Sequence, residues 1–394
     1  MSNFAPATIT PQQAVDVAVN LAWPMRTKLM LIQLGFVGQG KTVSNREASV
    51  IISEKLGRTK VNMRDLNRAP TNDEFFYWEI NCSTSDRSDF QIPWISGDSY
   101  ELVVLKTFDL IASNPDAHGM IVLDEIAKNI ELAPIFAEIA RERRFGTNFK
   151  LPDNVMVVGT GNRSEDNASS FDLPEDLSNR AMICDVESTS ESFLEHEGST
   201  LDPILTAAIT FMGNTSGPLS LFDYGQKVEP SASRQKCTFR SMSCFNDVIS
   251  LKPDGVGSGW DWKNHAHRHA GAGLIGTGSF GSISACQDFG TELNLINTFW
   301  DDPEGHRSEI VDVFQNNSLG VKNQSDMKYA LMVGFLNKIK TDKNNFDNAC
   351  AYLDIVGSAE LTRAFLECAK QIDIQFAKTS RYAHSRAADL RKNS

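Results

Sequence analysis

The stretch Gly35-Phe-Val-Gly-Gln-Gly-Lys-Thr42 constrains this chain more than any other. It follows an apolar run from Leu29 to Leu34 and precedes the helix-forming stretch Ser44 to Gly57. The eight residues fit the pattern G-x-x-x-x-G-K-[ST], which has physical meaning only between a strand and a helix. The flanks predict that context: a strand, a glycine loop and a helix that stops at Gly57, the building unit of a parallel α/β sheet. Backbone N–H groups from about Gly38 to Thr42 then converge at a helix N-terminus, where anionic oxygens are stabilised. Lys41 is placed to reach the β- and γ-phosphates of a nucleotide, and the Thr42 hydroxyl to hold Mg²⁺. Gly35, Gly38, Gln39 and Gly40 complete the candidate loop, with ATP and Mg²⁺ as the expected cofactors. The competing reading is a flexible glycine turn with a chance Lys-Thr.

Two further strands carry polar residues at their ends. Met120 to Leu123 is a continuous apolar run, as in a buried parallel strand, and ends in Asp124-Glu125. Carboxylates at the C-terminal edge of such a strand sit where α/β sheets bind ligands. Asp124 is suited to the Mg²⁺ shell and to the nucleotide site, and Glu125 to orienting and deprotonating an attacking water. The run Asn154 to Asn162 ends in an amide that could hydrogen-bond the same water and the γ-phosphate. The plain alternatives are a helix N-cap for Asp124-Glu125 and a turn residue for Asn162. Arg180 follows in "LPEDLSNRAMICDVE", ahead of another apolar strand, Ala181 to Val186. Before all of these, "TPQQAVDVAVNLAW" predicts a helix with Thr10 as N-cap and Pro11 at its first position.

The order of glycine loop, "VLDE", "VVGTGN" and "LSNR" resembles the AAA+ ATPases, and more closely their MoxR-like branch, in a group common in bacteriophage and bacterial genomes. The stretch "IFAEIARERRFGTNFKLPDNVMVVGTGNRSEDN" is similar to that group's helix, basic turn, hairpin and asparagine strand, with Gly146-Thr147-Asn148 at the hairpin turn. "SDFQIPWI" near Asp89 resembles the segment that follows the first helix in these proteins. "CTFRSMSCFNDVISLK" resembles the group's helix "P-T-P-R-S-W-E", with Phe239 in place of proline and Met242 in place of tryptophan. The resemblance implies a parallel-sheet αβα nucleotide-binding domain over residues 1–187, a helical lid over 188–290 and a C-terminal helical extension over 291–394. It implies Mg²⁺-dependent ATP hydrolysis with Glu125, Asn162, Arg180 and Arg240 as catalytic residues. Arg180 would be the finger offered to a neighbouring subunit, and Arg240 the second sensor, with Arg234 as its competitor. A homo-hexameric ring and a partner bearing a von Willebrand factor A domain follow from the same resemblance. A nucleotide-gated scaffold with little turnover, a small-molecule phosphotransferase and a motor on nucleic acid are the other classes open to such a loop.

Composition narrows these. The 394 residues carry a net charge of −12, which argues against a broad basic grip on DNA or an anionic membrane and leaves room for a small basic pore or groove. No apolar run reaches the roughly 18 residues a membrane helix requires, and the start lacks a basic and then apolar leader pattern. The seven cysteines form no C-x-x-C, so free thiols in a reducing cytoplasm are expected, in a bacterium or a phage-infected host. "AGAGLIGTGSFGS" holds a G-x-G-x-x-G at Gly271, Gly273 and Gly276, but no buried strand precedes it, so a dinucleotide site is not expected. No cluster of cysteines or carboxylates stands beside His265, His267 and His269, and a structural or surface role is expected for them. "NRAPTNDEFFYWEINCSTSDRSDFQIPW" is rich in aromatic and charged residues, and reads as a pore-facing or partner-facing segment or as a surface insertion. The C-terminal third has apolar residues at spacings of three and four, the pattern of a helical bundle.

Overall fold

The computed structural model of the protein describes residues 8–96, 99–104, 106–145, 149–164, 170–212, 221–222, 237–253, 256–257, 259–285, 300, 302–316, 328, 331–332, 334–336, 338–339 and 342–378. The chain divides into two compact units, Met1–Ser188 and Thr189–Ser394.

The first unit is an α/β sandwich. Among its described residues, the strands are β1 (Met30–Leu34), β2 (Thr59–Asn62), β3 (Glu74–Asn81), β4 (Gln91–Ser96), β5 (Ser99–Val104), β6 (His118–Asp124), β7 (Arg144–Phe145), β8 (Phe149–Lys150), β9 (Val155–Gly161) and β10 (Ala181–Asp185). Six of them form one sheet in the order β10-β1-β9-β6-β3-β2. Every pairing in that sheet is parallel. Strands β4 and β5 form an antiparallel hairpin, and so do β7 and β8. The turn Gly146-Thr147-Asn148 between the latter two lies outside the described residues.

Side-chain alternation along each strand builds a core on both faces. Met30, Ile32, Phe76, Trp78, Ile121, Leu123, Val155 and Val157 face α3 (Lys106–Ala112) and α4 (Ala133–Glu142), through Phe108, Ile135 and Phe136. Their neighbours Leu31, Phe75, Tyr77, Met120, Val122, Met156 and Val158 face α1 (Pro11–Asp16) and α2 (Lys41–Lys55). Helix α1 starts as its sequence predicts: Thr10 and Gln13 cap each other reciprocally and Pro11 opens the helix. It continues as a π-helical segment, Val17–Ala22, and a short helix, α5 (Glu175–Ser178), precedes β10.

The stretch Glu74 to Asn81, read from sequence as part of a pore-facing, partner-facing or inserted segment, is instead an inner strand of the main sheet. Phe75 and Phe76 are fully buried there, on opposite faces. The following hairpin β4–β5 exposes the large apolar side chains of Ile92, Trp94 and Ile95.

The second unit is helical, and no strand occurs among its described residues. Helices α6 (Ser190–Glu197) and α8 (Phe239–Ile249) begin with capping boxes at Thr189 and Thr238, and α7 (Pro203–Met212) lies between them in the chain. Helices α9 (His265–Ile275) and α10 (Thr277–Ala285) follow, and then Arg307–Phe314, Phe346–Val356 and Ala359–Ile372. Buried residues from Phe193 to Phe376 form one hydrophobic cluster, so the segments expected as lid and as extension share a core. Gly271 and Gly273 lie inside α9, a helix rather than a strand-to-helix turn. A Cβ at Gly271 would run into the Phe280 ring, which makes that glycine a packing residue. His267 stacks on Trp260 at 5.6 Å and accepts from the Asp261 amide at 3.0 Å, as suits a structural histidine. Among the described residues no helix is long and apolar enough to cross a membrane.

Gly119 on β6 pairs in register with Phe76 on β3, and a Cβ there would overlap the buried Phe76 ring. Gly119→Ala is expected to cost about 1–3 kcal/mol by overpacking, seen as a lower urea midpoint. An unchanged midpoint would mean that the ring has room to turn away.

Candidate nucleotide-binding site

The site is assembled at the C-terminal ends of three adjacent strands, β1, β9 and β6. This is the edge at which open parallel sheets present ligand sites. The loop from Gly35 to Gly40 leaves β1 and enters α2, with Gly38 and Gly40 in left-handed conformation at φ 80° and 78°. Gly35 donates its N–H to the Gly161 carbonyl at 3.2 Å, which ties the loop to the end of β9. A Cβ on Gly35 would overlap the Val186 carbonyl oxygen beyond β10, so the close approach itself demands glycine.

Lys41, the first residue of α2, is buried. Its ammonium donates to the Gly35 carbonyl at 2.6 Å, the Phe36 carbonyl at 2.8 Å and Asn162 Oδ1 at 3.4 Å. Asn162, itself only 6 % exposed, stands immediately after β9. A buried ammonium is tolerated only with such acceptors, and phosphate oxygens are a stronger set of the same kind. Thr42 is the next residue of α2 and partly exposed.

Asp124 ends β6, and its Oδ1 accepts a short hydrogen bond from the hydroxyl of the fully buried Thr160 on β9. The Asp124 carbonyl accepts from the Cys82 amide at 2.8 Å, and the Ile126 amide donates to the Thr160 carbonyl at 2.9 Å. These bonds fix the backbone on either side of Glu125. Glu125 adopts φ 59°, a left-handed conformation rare outside glycine, which costs on the order of 1–3 kcal/mol and is typical of functional turns. Its carboxylate pairs with Lys128 Nζ at 2.9 Å, with each side chain 30% exposed. Burial, and then the Asp124 and Glu125 carboxylates, push the Cys82 thiol far up, so it stays protonated and inert.

The oxygen donors suit Mg²⁺. A threonine hydroxyl and one carboxylate are hard ligands, and Mg²⁺ characteristically takes one or two carboxylates with phosphate and water oxygens. Among the described residues no group of three or more His, Cys, Asp or Glu that could hold a metal ion occurs.

The remaining residues singled out from sequence have other places. Gln39 is buried with its side chain turned to the end of the unit: its Oε1 accepts from the Ser188 amide, and Ser188 Oγ donates to the Gln39 carbonyl at 3.1 Å. Arg180 is exposed at the opposite edge of the sheet, just before β10, where its carbonyl accepts from the Met30 amide at 3.3 Å. Since β10 runs parallel to β1 from Met30↔Ala181 to Leu34↔Asp185, Arg180 lies about 16 Å of strand away from the loop end of its own β1. Arg240 is an exposed residue of α8 in the second unit. Arg234 lies outside the described residues.

Sequence inspection missed the layer beneath the loop. Gln33 on β1 is fully buried and accepts from Asn45 Nδ2 at 2.9 Å and Ser44 Oγ at 3.3 Å, and Asn45 also donates to the Lys41 carbonyl at 2.9 Å. The polar face Ser44, Asn45, Ser49 of α2, where an apolar stripe is usual, was the available signal. Thr160 was equally unmarked, since a threonine in a strand has no distinguishing spacing.

No family model matches the chain, and no curated protein matches it. Among solved structures it is similar to NtrX from Brucella abortus, at 13% identity over 93% of this chain and 69% of that one, with TM-score 0.36. NtrX in complex with ATP gives 12% identity over 85% and 70%, with TM-score 0.33. The ORC2 protein of Aeropyrum pernix, in ADPNP–ADP complexes, gives 9% identity over 96% and 98%, with TM-score 0.32. These likenesses are distant.

Thr160→Val removes the hydroxyl that holds Asp124 while keeping the strand. It is expected to weaken the Mg²⁺ dependence of nucleotide binding by about 10–100-fold, the usual effect of a lost outer-shell partner. A Mg²⁺ titration with a fluorescent ATP analogue reads this. An unshifted titration would mean that Asp124 does not depend on Thr160.

Proposed function

We propose that this chain is a Mg²⁺-dependent ATPase of the AAA+ type, of the MoxR-like branch, that works as a ring, most simply a homo-hexamer, and remodels or activates a protein partner. The observation that carries this reading is the meeting of Lys41 and Asn162, with Asp124 and Glu125 on the adjacent strand, at one sheet edge. A glycine turn with a chance lysine would not bury that lysine among three acceptors. Backbone amides of the loop and Lys41 would cradle the β- and γ-phosphates, and Thr42 and Asp124 would hold Mg²⁺. The metal, when bound, would neutralise charge on the transferring phosphoryl group. Glu125 would take a proton from the attacking water, which Asn162 would help to orient. The strained backbone of Glu125 supports a functional rather than a capping role.

Arg180 belongs to the ring. From the far edge of its own sheet it does not reach its own Lys41, and its exposure suits delivery to a neighbour. Arg240 is proposed as the second sensor, and a von Willebrand factor A domain protein as a partner. The exposed Ile92, Trp94 and Ile95 of the β4–β5 hairpin offer an apolar surface for a remodelled polypeptide.

Lys41→Ala is expected to abolish tight ATP binding. Glu125→Gln is expected to retain binding and slow hydrolysis by roughly 10²–10⁴. Calorimetric titration and a steady-state phosphate-release assay separate the two, and wild-type affinity in the lysine variant would remove the phosphate-loop assignment.

Arg180→Ala is expected to bind ATP normally and lose roughly 10³–10⁵ in rate. Mixed with Glu125→Gln, it should regain part of the activity, because some interfaces then pair an intact finger with an intact base. A mixture as inactive as its parents, with subunit exchange shown by labelled protein, would leave Arg180 a structural role only.

A further inference from the structure

A second site lies beside the outer strands of the same sheet. Arg46 from α2, Lys60 from β2 and Arg64 just beyond β2 line an open groove of about 440 Å³, together with Asn62, Tyr77 and Glu79. Three cations from three separate elements stand beside one carboxylate, a local sum of three minus one, in a chain whose net charge is −12. Arg46 grips Glu79 with Nη2 at 2.9 Å and Nε at 3.2 Å, and Tyr77 also donates to Glu79 at 3.1 Å. Arg64 donates through Nη2 to the Glu79 carbonyl. Lys60 donates to the Arg46 carbonyl at 3.1 Å and sits 4.9 Å from the Tyr77 ring centroid. The carboxylate therefore pairs with Arg46, while Lys60 and Arg64 are held by main-chain carbonyls, which leaves the groove a local excess of positive charge. Burial chiefly, and then the charge of Arg46, lower the Lys60 pKa.

The shape of the cluster selects its ligand. Donors approaching from three elements suit a tetrahedral oxyanion, which accepts from several directions, better than a planar carboxylate, which a single arginine satisfies in two bonds. The only aromatic ring, Tyr77, is 7% exposed and lies under Lys60, so no free face is offered for stacking a base. The groove is open along the surface, whereas sites for small molecules enclose most of their ligand. We propose that this groove binds the phosphates of a nucleic-acid strand, contacting the backbone and not reading the bases. The site is separate from the Lys41 loop and does not depend on the ATPase reading.

The test is fluorescence anisotropy of the full chain with a labelled single-stranded DNA 20-mer of mixed sequence, without nucleotide, over 50–200 mM NaCl. Up to three phosphate contacts predict a slope of log K against log salt near −2, or a loss of roughly 20-fold across that range. Lys60→Gln with Arg64→Gln should flatten the slope by about 1.4 and weaken binding at 50 mM salt about tenfold or more. Neither residue belongs to the proposed ATP site, so retained ATP affinity and circular dichroism report an intact fold in this variant. Glu79→Gln, which removes the opposing charge, should tighten binding. Absence of binding in the wild-type chain, or a slope that the double substitution does not change, overturns the proposal. So does displacement of the DNA by poly-glutamate at equal charge concentration, which would make the groove a site for acidic polypeptide. Binding of tripolyphosphate without binding of the 20-mer would overturn it in favour of a small polyphosphate.

Discussion

The ammonium of Lys41 is the point on which the first unit turns. It is buried at the head of α2 and satisfied by carbonyls from Gly35 and Phe36 and by the amide of Asn162. These bonds join the glycine loop, the helix it opens and the strand beside β1 into one structure. Each acceptor is present because of something else. The carbonyls converge because the loop takes left-handed turns at Gly38 and Gly40. The loop lies close because Gly35 has no Cβ to meet Val186. Asn162 arrives because β9 pairs with β1 in a fixed register, Leu34↔Gly161. A positive charge held by dipoles and backbone oxygen is prepared for a stronger anionic ligand.

The helix behind that lysine is built for the position. Where most helices turn an apolar stripe to a sheet, α2 presents Ser44, Asn45 and Ser49 along with Ala48 and Ile52. Small side chains allow close approach to the sheet. The serine hydroxyls return to backbone carbonyls of their own helix, Ser49 to Arg46 at 2.6 Å and Ser53 to Val50 at 2.7 Å. Gln33 and Asn45 then link strand and helix through a buried hydrogen bond. The layer is not fully paired, since Gln33 Nε2 and Asn45 Oδ1 stay buried without a partner, which costs free energy, while the bonds it does make hold loop over strand. The opposite face of the sheet, with Phe108, Phe136 and Phe149, supplies ordinary apolar burial.

The sheet also separates functions in space. Its loop edge gathers the lysine, the asparagine and the acidic pair, while Arg180 is at the other edge, a strand length away. In the proposed ring, a neighbour's exposed Arg180 would be the one to meet this edge. Charge is partitioned in a similar way: an acidic chain concentrates Arg46, Lys60 and Arg64 in one groove. A summed charge speaks to long-range attraction and leaves local recognition open.

Much of the first unit was legible in the sequence because its signals are local. A glycine pattern between an apolar run and a helix, Thr10 with Pro11 and Gln13, and apolar runs ending in Asp124 and Asn162 depend on neighbours along the chain, and the elements form where those signals stand. The strand Glu74–Asn81 was hidden because aromatic residues mixed with charges resemble an exposed surface until the pleat divides them between two cores. The roles of Thr160, Gln33 and Gln39 were not legible, nor was the basic groove. Thr160 meets Asp124 across 36 positions and Gln39 meets Ser188 across 149, and such pairs exist only once parallel strands have chosen their order and register. The sequence by itself determined which segments become strand, loop and helix, and which residue types stand at their ends. Tertiary structure alone decided which of those ends meet, because pairing between distant strands is set by the packing of both sheet faces at once, and no short stretch of chain contains that information.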